Sequence, residues 1–291
     1  MGVVQTDGVS IAYEVTPPDD VETVAFVEGW GYGRWMWHWQ LGGLPAFERI
    51  VVDNRGTGES TTPGRGMGWL FGKLPRKLRQ PLIFLLHRKQ YTIEKMAADL
   101  EAVLADAGVE QAHVVGASMG GMIALQHALD FNRTASLTLL CTTAGGDMKN
   151  LVPDETLAHL QNVPEDLDER ERIEYVMEPA TTESWRKANQ ETLHQIVDWR
   201  LHQDASPPVR EAQAMGQLGW DVRDRLDGLD IPALVMHGTA DHVVPIDRGR
   251  VLADRLGCEF DAYENGSHLF FIERADEVND RVRTFLEEVS A

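Results

Sequence analysis

Three residues of this 291-residue chain have the types and order needed for nucleophilic catalysis: Ser118, Asp241 and His268. A serine hydroxyl attacks poorly until a base takes its proton. The base, most often histidine, needs a carboxylate to fix its tautomer and to stabilise its cation. Ser118 sits in Gly116-Ala117-Ser118-Met119-Gly120, a G-x-S-x-G pattern. Such a serine on a sharp strand-to-helix turn has its hydroxyl thrust outward from a strained backbone. Gly116 and Gly120 fit that reading, because a Cβ on either side would clash in so tight a turn.

The flanking segments have the patterns such a turn requires. Ala112-His113-Val114-Val115 is short and β-prone, and the stretch from Met119 to Leu129 is helix-like. A helix beginning there aims backbone N–H groups and a positive dipole end at the reacting centre. Pro232-Ala233-Leu234-Val235-Met236-His237-Gly238 reads as an apolar strand entering a glycine turn, with Asp241 just beyond. Glu259-Phe260-Asp261-Ala262-Tyr263 reads as the next strand, and the polar loop after it carries His268. Each of the three residues therefore follows a predicted strand, in the order Ser, Asp, His.

An acyl-transfer serine also needs donors for the oxyanion. One is the backbone N–H after the nucleophile, here Met119. The second is assigned to Trp30 N–H, in the loop Glu28-Gly29-Trp30-Gly31-Tyr32-Gly33 that follows the strand Thr23–Val27. Three glycines in that loop let the main chain approach a ligand closely.

These residues resemble the α/β-hydrolase fold superfamily over nearly the whole chain. Gly116–Ala124 is similar to its nucleophile turn, Asp53–Ser60 to the turn after its third or fourth strand, and His237–Asp241 and Gly266–His268 to its acid and histidine loops. The nearest flavour is that of small esterases, enol-lactonases such as 3-oxoadipate enol-lactonase, and cofactor-free haloperoxidases. The resemblance implies a mostly parallel central sheet flanked by helices, with a core from 1–146 and 222–291 and a helical cap from 147–221. It implies a serine hydrolase of carboxylic esters or lactones, needing no cofactor or metal. Perhydrolase or haloperoxidase chemistry and C–C bond hydrolysis use the same triad and stay open, as does a hydrolase fold that only binds a small ligand. Some relatives place the acid after the strand Ser136–Cys141, where this chain has Asp147; Asp241 is preferred for its glycine turn. Many relatives have His-Gly where this chain has Glu28-Gly29, so a glutamate beside the site is expected to disfavour anionic substrates unless it points away.

Two insertions bear on substrate. The segment 147–221 is charged, helical in pattern, and holds Met177, Trp185, Trp199, Met215 and Trp220, which either line a pocket or pack the cap onto the core. The segment 64–90 carries Arg65, Lys73, Arg76, Lys77, Arg79, Arg88 and Lys89, no acid, and many large apolar residues. Its readings are a pocket mouth, which is preferred, an anionic membrane surface, or a contact within a homo-oligomer. Trp35, Trp37 and Trp39 are divided between pocket wall and core.

Composition bounds the rest. A chain with 43% hydrophobic residues at this length buries a large core. Strand patterns alternating with helical ones favour a parallel sheet. Thr92 reads as the cap of a helix running to about Ala107 with a stop at Gly108, and Glu277–Val289 as a C-terminal helix. The net charge of -19 argues against nucleic acid as a partner. Its arginine-rich acidity fits either a halophilic source or codon bias in a GC-rich organism. The two cysteines, Cys141 and Cys258, read as free buried thiols, and no leader or membrane-spanning run is evident, so a cytoplasmic location is expected.

Overall fold

The computed structural model describes residues 1–18, 21–63, 89–146 and 152–290. Eight strands form one sheet: β1 (Gly2–Thr6), β2 (Val9–Thr16), β3 (Thr23–Val27), β4 (Glu48–Val52), β5 (Ala112–Ala117), β6 (Thr134–Leu140), β7 (Ala233–Gly238) and β8 (Glu259–Tyr263). Their spatial order is β1-β2-β4-β3-β5-β6-β7-β8. The β1–β2 and β2–β4 pairs are antiparallel, and every other pair is parallel.

The sequence of the central strands follows from their position. β3, β5 and β7 are buried along their whole length, as strands covered on both faces must be. Successive residues of β3 enter opposite cores. Ala25 and Val27 pack with the helices Ile93–Asp106 and Met119–Asp130. Val24 and Phe26 pack with Trp37, Phe271 and the helix Ala275–Val289. The edge strand β1 instead alternates between half-buried and exposed residues, and its Gly-Val-Val-Gln-Thr composition carries too weak an apolar signal to be recognised from sequence. Thr92 caps the helix Ile93–Asp106 by accepting Lys95 N–H, and the chain leaves through Gly108 at φ +74°. The last helix starts at Ala275, two residues before the expected Glu277.

Among the described residues between β6 and β7 lie five α-helices: Asp154–Gln161, Glu169–Met177, Glu183–Ala188, Gln190–Gln203 and Pro207–Gln217. The second has a reciprocal capping box, in which Asp168 accepts Glu171 N–H and Glu171 accepts Asp168 N–H. Met177, Leu193, Ile196 and Val197 from these helices join the core under Trp37 and Phe271. Residues 64–88 and Asp147 lie outside the described residues. No helix among the described residues is long and apolar enough to cross a membrane.

Candidate active site

Parallel strands bring their C-terminal ends to one edge of a sheet, and here that edge collects every residue singled out for chemistry. Ser118 follows β5, Asp241 and His268 follow β7 and β8, and Glu28–Trp30 follows β3.

Ser118 has φ 54° and ψ −119°, a left-handed strained conformation for a residue with a side chain. The neighbouring backbone holds it there. Ser118 N–H donates to Leu140 C=O at 2.9 Å, and Ser118 C=O accepts the Thr142 hydroxyl at 2.7 Å. The tightness of the turn explains its glycines. A Cβ on Gly116 would lie 2.4 Å from Gly120 O, and one on Gly120 would lie 2.0 Å from Val27 O.

His268 Nδ1 lies 2.8 Å from Asp241 Oδ2. Asp241 is fully surrounded: Oδ1 accepts the N–H groups of Val243 and Val244, both at 2.8 Å, and Oδ2 also faces His237 Nε2 at 3.1 Å. Burial alone pushes the Asp241 carboxyl up, but the attraction of His268 and the hydrogen bonds from His237 and His268 together outweigh it. The carboxyl is held well below the usual carboxylate range. An ionised Asp241 can only accept, so Nδ1 of His268 carries the proton and Nε2 is left as the basic nitrogen. His237 Nε2 also faces Val244 C=O at 2.9 Å, an acceptor, and therefore carries a proton too. The sequence placed His237 on a strand and gave no sign that it supports Asp241.

The loop after β3 is braced on both sides of Trp30. Gly29 N–H points to Met36 Sδ at 3.3 Å, and Gly31 N–H donates to Gln213 Oε1 at 2.9 Å. Among the described residues Trp30 N–H has no acceptor, and Met119 N–H, at the first position of its helix, has no carbonyl within that helix to bond. The Trp30 indole donates to Arg210 C=O at 2.6 Å.

A cavity of about 230 Å³ brings these parts together. Ser118, His268, Gly29, Trp30, Tyr32 and Met36 line it from the sheet edge. Thr156, Leu160, Val176, Pro179, Ala180, Arg200 and Arg210 line it from the helices between β6 and β7, and Val243 completes it. The tryptophans that the sequence left between pocket wall and core lie outside this cavity. Trp37 is buried against Phe26 and Phe271, Trp35 and Trp39 pack on Trp199, and Trp220 donates its indole N–H to Gln126. Met177 is in the core.

Glu28 does not line the cavity. It is fully buried beside Asp53, and burial, with the Asp53 charge adding, pushes its carboxyl well above the ordinary range. Glu28 is thus the case, allowed for in the sequence reading, of a glutamate turned away from the substrate.

Cys141, at the end of β6 with φ 43°, lies close behind the pair. Its Sγ and one ligand atom each of Asp241 and His268 lie within 4.8 Å of one another. Burial pushes its thiol well above the ordinary value, and the Asp241 charge adds to this. Cys141 is therefore a neutral thiol, a poor partner for a metal ion, which takes the thiolate. Cys258 is also free.

Comparison with known proteins agrees with this fold. Residues 22–275 match the family model of the alpha/beta hydrolase fold. The AB hydrolase superfamily protein YisY of Bacillus subtilis is 24% identical over 272 residues, covering 90% of each chain. The 3-oxoadipate enol-lactonase 1 of Acinetobacter baylyi is 23% identical, covering 94% of this chain and 92% of that protein. Among solved structures, Est816, described as an N-acyl homoserine lactone degrading enzyme, superposes with a TM-score of 0.75 at 26% identity, covering 98% of this chain and all of that one.

Proposed function

From the premise that this chain belongs to the α/β-hydrolase fold family, we propose that it cleaves carboxylic esters or lactones through an acyl-enzyme on Ser118. The observation that carries the reading is the Asp241–His268 contact of 2.8 Å beside a cavity lined by both His268 and a strained Ser118. Asp241 orients His268. Nε2 of His268 takes the Ser118 proton as Oγ attacks the substrate carbonyl. The tetrahedral oxyanion receives the N–H groups of Met119 and Trp30, for which no acceptor is found among the described residues. His268 then passes its proton to the leaving alcohol, or to the ring oxygen of a lactone, and activates the water that releases the acid.

The helices between β6 and β7 act as the cap, and segment 147–221 is the unit that sets substrate size. The cavity is smaller than the roughly 300–1,000 Å³ of sites for drug-sized ligands, which favours short acyl groups. The names of two of the proteins above, an enol-lactonase and an N-acyl homoserine lactone degrading enzyme, support the ester and lactone class.

Ser118→Ala should lower kcat for p-nitrophenyl acetate by roughly a millionfold while the folded circular-dichroism spectrum is kept. Phenylmethylsulfonyl fluoride should add one sulfonyl group to the peptide containing Ser118 and none in the variant. More than a few per cent of activity left in Ser118→Ala would remove Ser118 as nucleophile.

A further inference from the structure

The cavity beside Ser118 has a charged wall that ester cleavage itself does not use. Arg200 and Arg210 are its only permanently charged lining residues among those described, and no carboxylate lines it. Arg200 is 5% exposed. Its Nε donates to Asp204 Oδ2 at 2.7 Å and its guanidinium carbon lies 4.6 Å from the centre of the Tyr32 ring. Its Nη1 is buried with no hydrogen-bond partner among the described residues.

Asp204 cannot neutralise this wall. Its Oδ1 accepts from Gly33 N–H at 3.3 Å and from the Trp35 indole at 2.8 Å. Its Oδ2 accepts from Arg200 and, at 3.1 Å, from Arg210 Nη2. One carboxylate thus serves two guanidinium groups and two neutral donors. The Asp204–arginine cluster keeps one positive charge. Asp241 has its oxygens already taken by His268 and by the N–H groups of Val243 and Val244. Glu28 does not line the cavity, and burial pushes its carboxyl well above the ordinary range.

A net positive charge in a cavity wall is costly unless a counter-ion completes it. Arginine suits a carboxylate better than any other common anion-binding side chain, because its planar fork offers parallel donors. We infer that the cavity takes esters or lactones carrying a second group, a carboxylate, seated against the wall that Arg200 and Arg210 form. This rests on the hydrolase reading of Ser118 and His268. It narrows the substrate class to half-esters of short dicarboxylic acids and to lactones bearing a carboxylate. Trp30 couples the two parts of the site. Its backbone N–H serves the reacting carbonyl, while its indole is held by Arg210 C=O.

The test pairs charged and uncharged substrates of equal length. Monoethyl succinate, glutarate and adipate are compared with ethyl butyrate, valerate and hexanoate at low salt in a pH-stat. A charge-assisted hydrogen bond of ordinary strength predicts a preference in kcat/KM of about ten- to a hundredfold for at least one half-ester. In Arg200→Gln that ratio should collapse to near unity. Arg210→Gln, at a more exposed side chain, should lower it by a smaller factor and serves if Arg200→Gln does not fold. Binding is read separately on Ser118→Ala, through quenching of the half-exposed Trp30 by succinate, glutarate and adipate. Faster cleavage of the uncharged ester at every length, with no dicarboxylate quenching Ser118→Ala, would overturn the inference. Quenching by a dicarboxylate with no Ser118-dependent ester cleavage would instead sink the hydrolase reading and leave the carboxylate seat standing.

Discussion

Replacing Glu28 with glutamine should make the protein more stable at neutral pH, and by an amount that grows with pH. Glu28 is fully buried, and neither carboxyl oxygen has a hydrogen-bond partner among the described residues. Burial pushes its carboxyl well above the ordinary 4.5 and the Asp53 charge adds, while the backbone N–H of Glu28, the Arg34 charge and the backbone N–H of Asn54 offset only part. Asp53 has its own compensation, from Glu59 N–H at 2.9 Å and Arg34 at 3.6 Å, so it is Glu28 that keeps the proton.

The sign follows from proton counting. Above about pH 4.5 the unfolded chain has released the Glu28 proton, whereas the folded chain still holds it. The folded state binds more protons, so stability falls as pH rises, until the folded carboxyl itself ionises. One proton of difference is worth about 1.4 kcal/mol per pH unit. Glutamine has the same shape and no proton to hold, so the variant lacks this slope. The stability of Glu28→Gln minus that of the parent should therefore rise by up to about 1.4 kcal/mol for each unit between about pH 5 and pH 7. Urea unfolding of both proteins at three pH values in that range measures it. Taking the difference cancels the carboxylates of this acidic chain that do not interact with Glu28; Asp53, which does, is the exception. Parallel curves, or a gap that shrinks with pH, would show that Glu28 is charged in the folded state and that the cavity has a negative neighbour after all.

Two further outcomes are expected. Asp241→Asn should lower kcat by about ten thousandfold, because an amide in that place no longer fixes the base tautomer of His268, while Asp147→Asn should leave kcat within a few-fold; the reverse order of effects would move the acid to Asp147. Molar KCl should raise the melting temperature by several degrees if the surplus of 46 acidic over 27 basic residues reflects a halophilic source. Equal melting temperatures at low and high salt would assign the arginine-rich acidity to codon bias.

What could be read from the sequence, and what could not, divides along one physical line. Ser118, Asp241 and His268 were visible because each directly follows an apolar, β-prone run, and a parallel sheet carries all such positions to one edge whatever happens between them. The helices Ile93–Asp106 and Ala275–Val289 were visible because their buried faces are periodic. The cavity wall was not visible, because its identity depends on what the helices between β6 and β7 meet. Arg200 and Asp204 are four apart on paper, the spacing of an ordinary surface ion pair. In the fold both side chains are almost completely buried, at 4% and 1% exposure, and Asp204 is shared with the loop after β3. The direction Glu28 takes was left open for the same reason. Its neighbour Gly29 lines the cavity, yet along a strand end successive side chains point to opposite faces, so Glu28 turns away toward Asp53. Position in the chain thus told which backbone reaches the reacting edge. The charge that a substrate meets there is set by contacts between residues far apart in sequence: Arg200 and Arg210 enter it from one insertion, and Glu28 leaves it through the core.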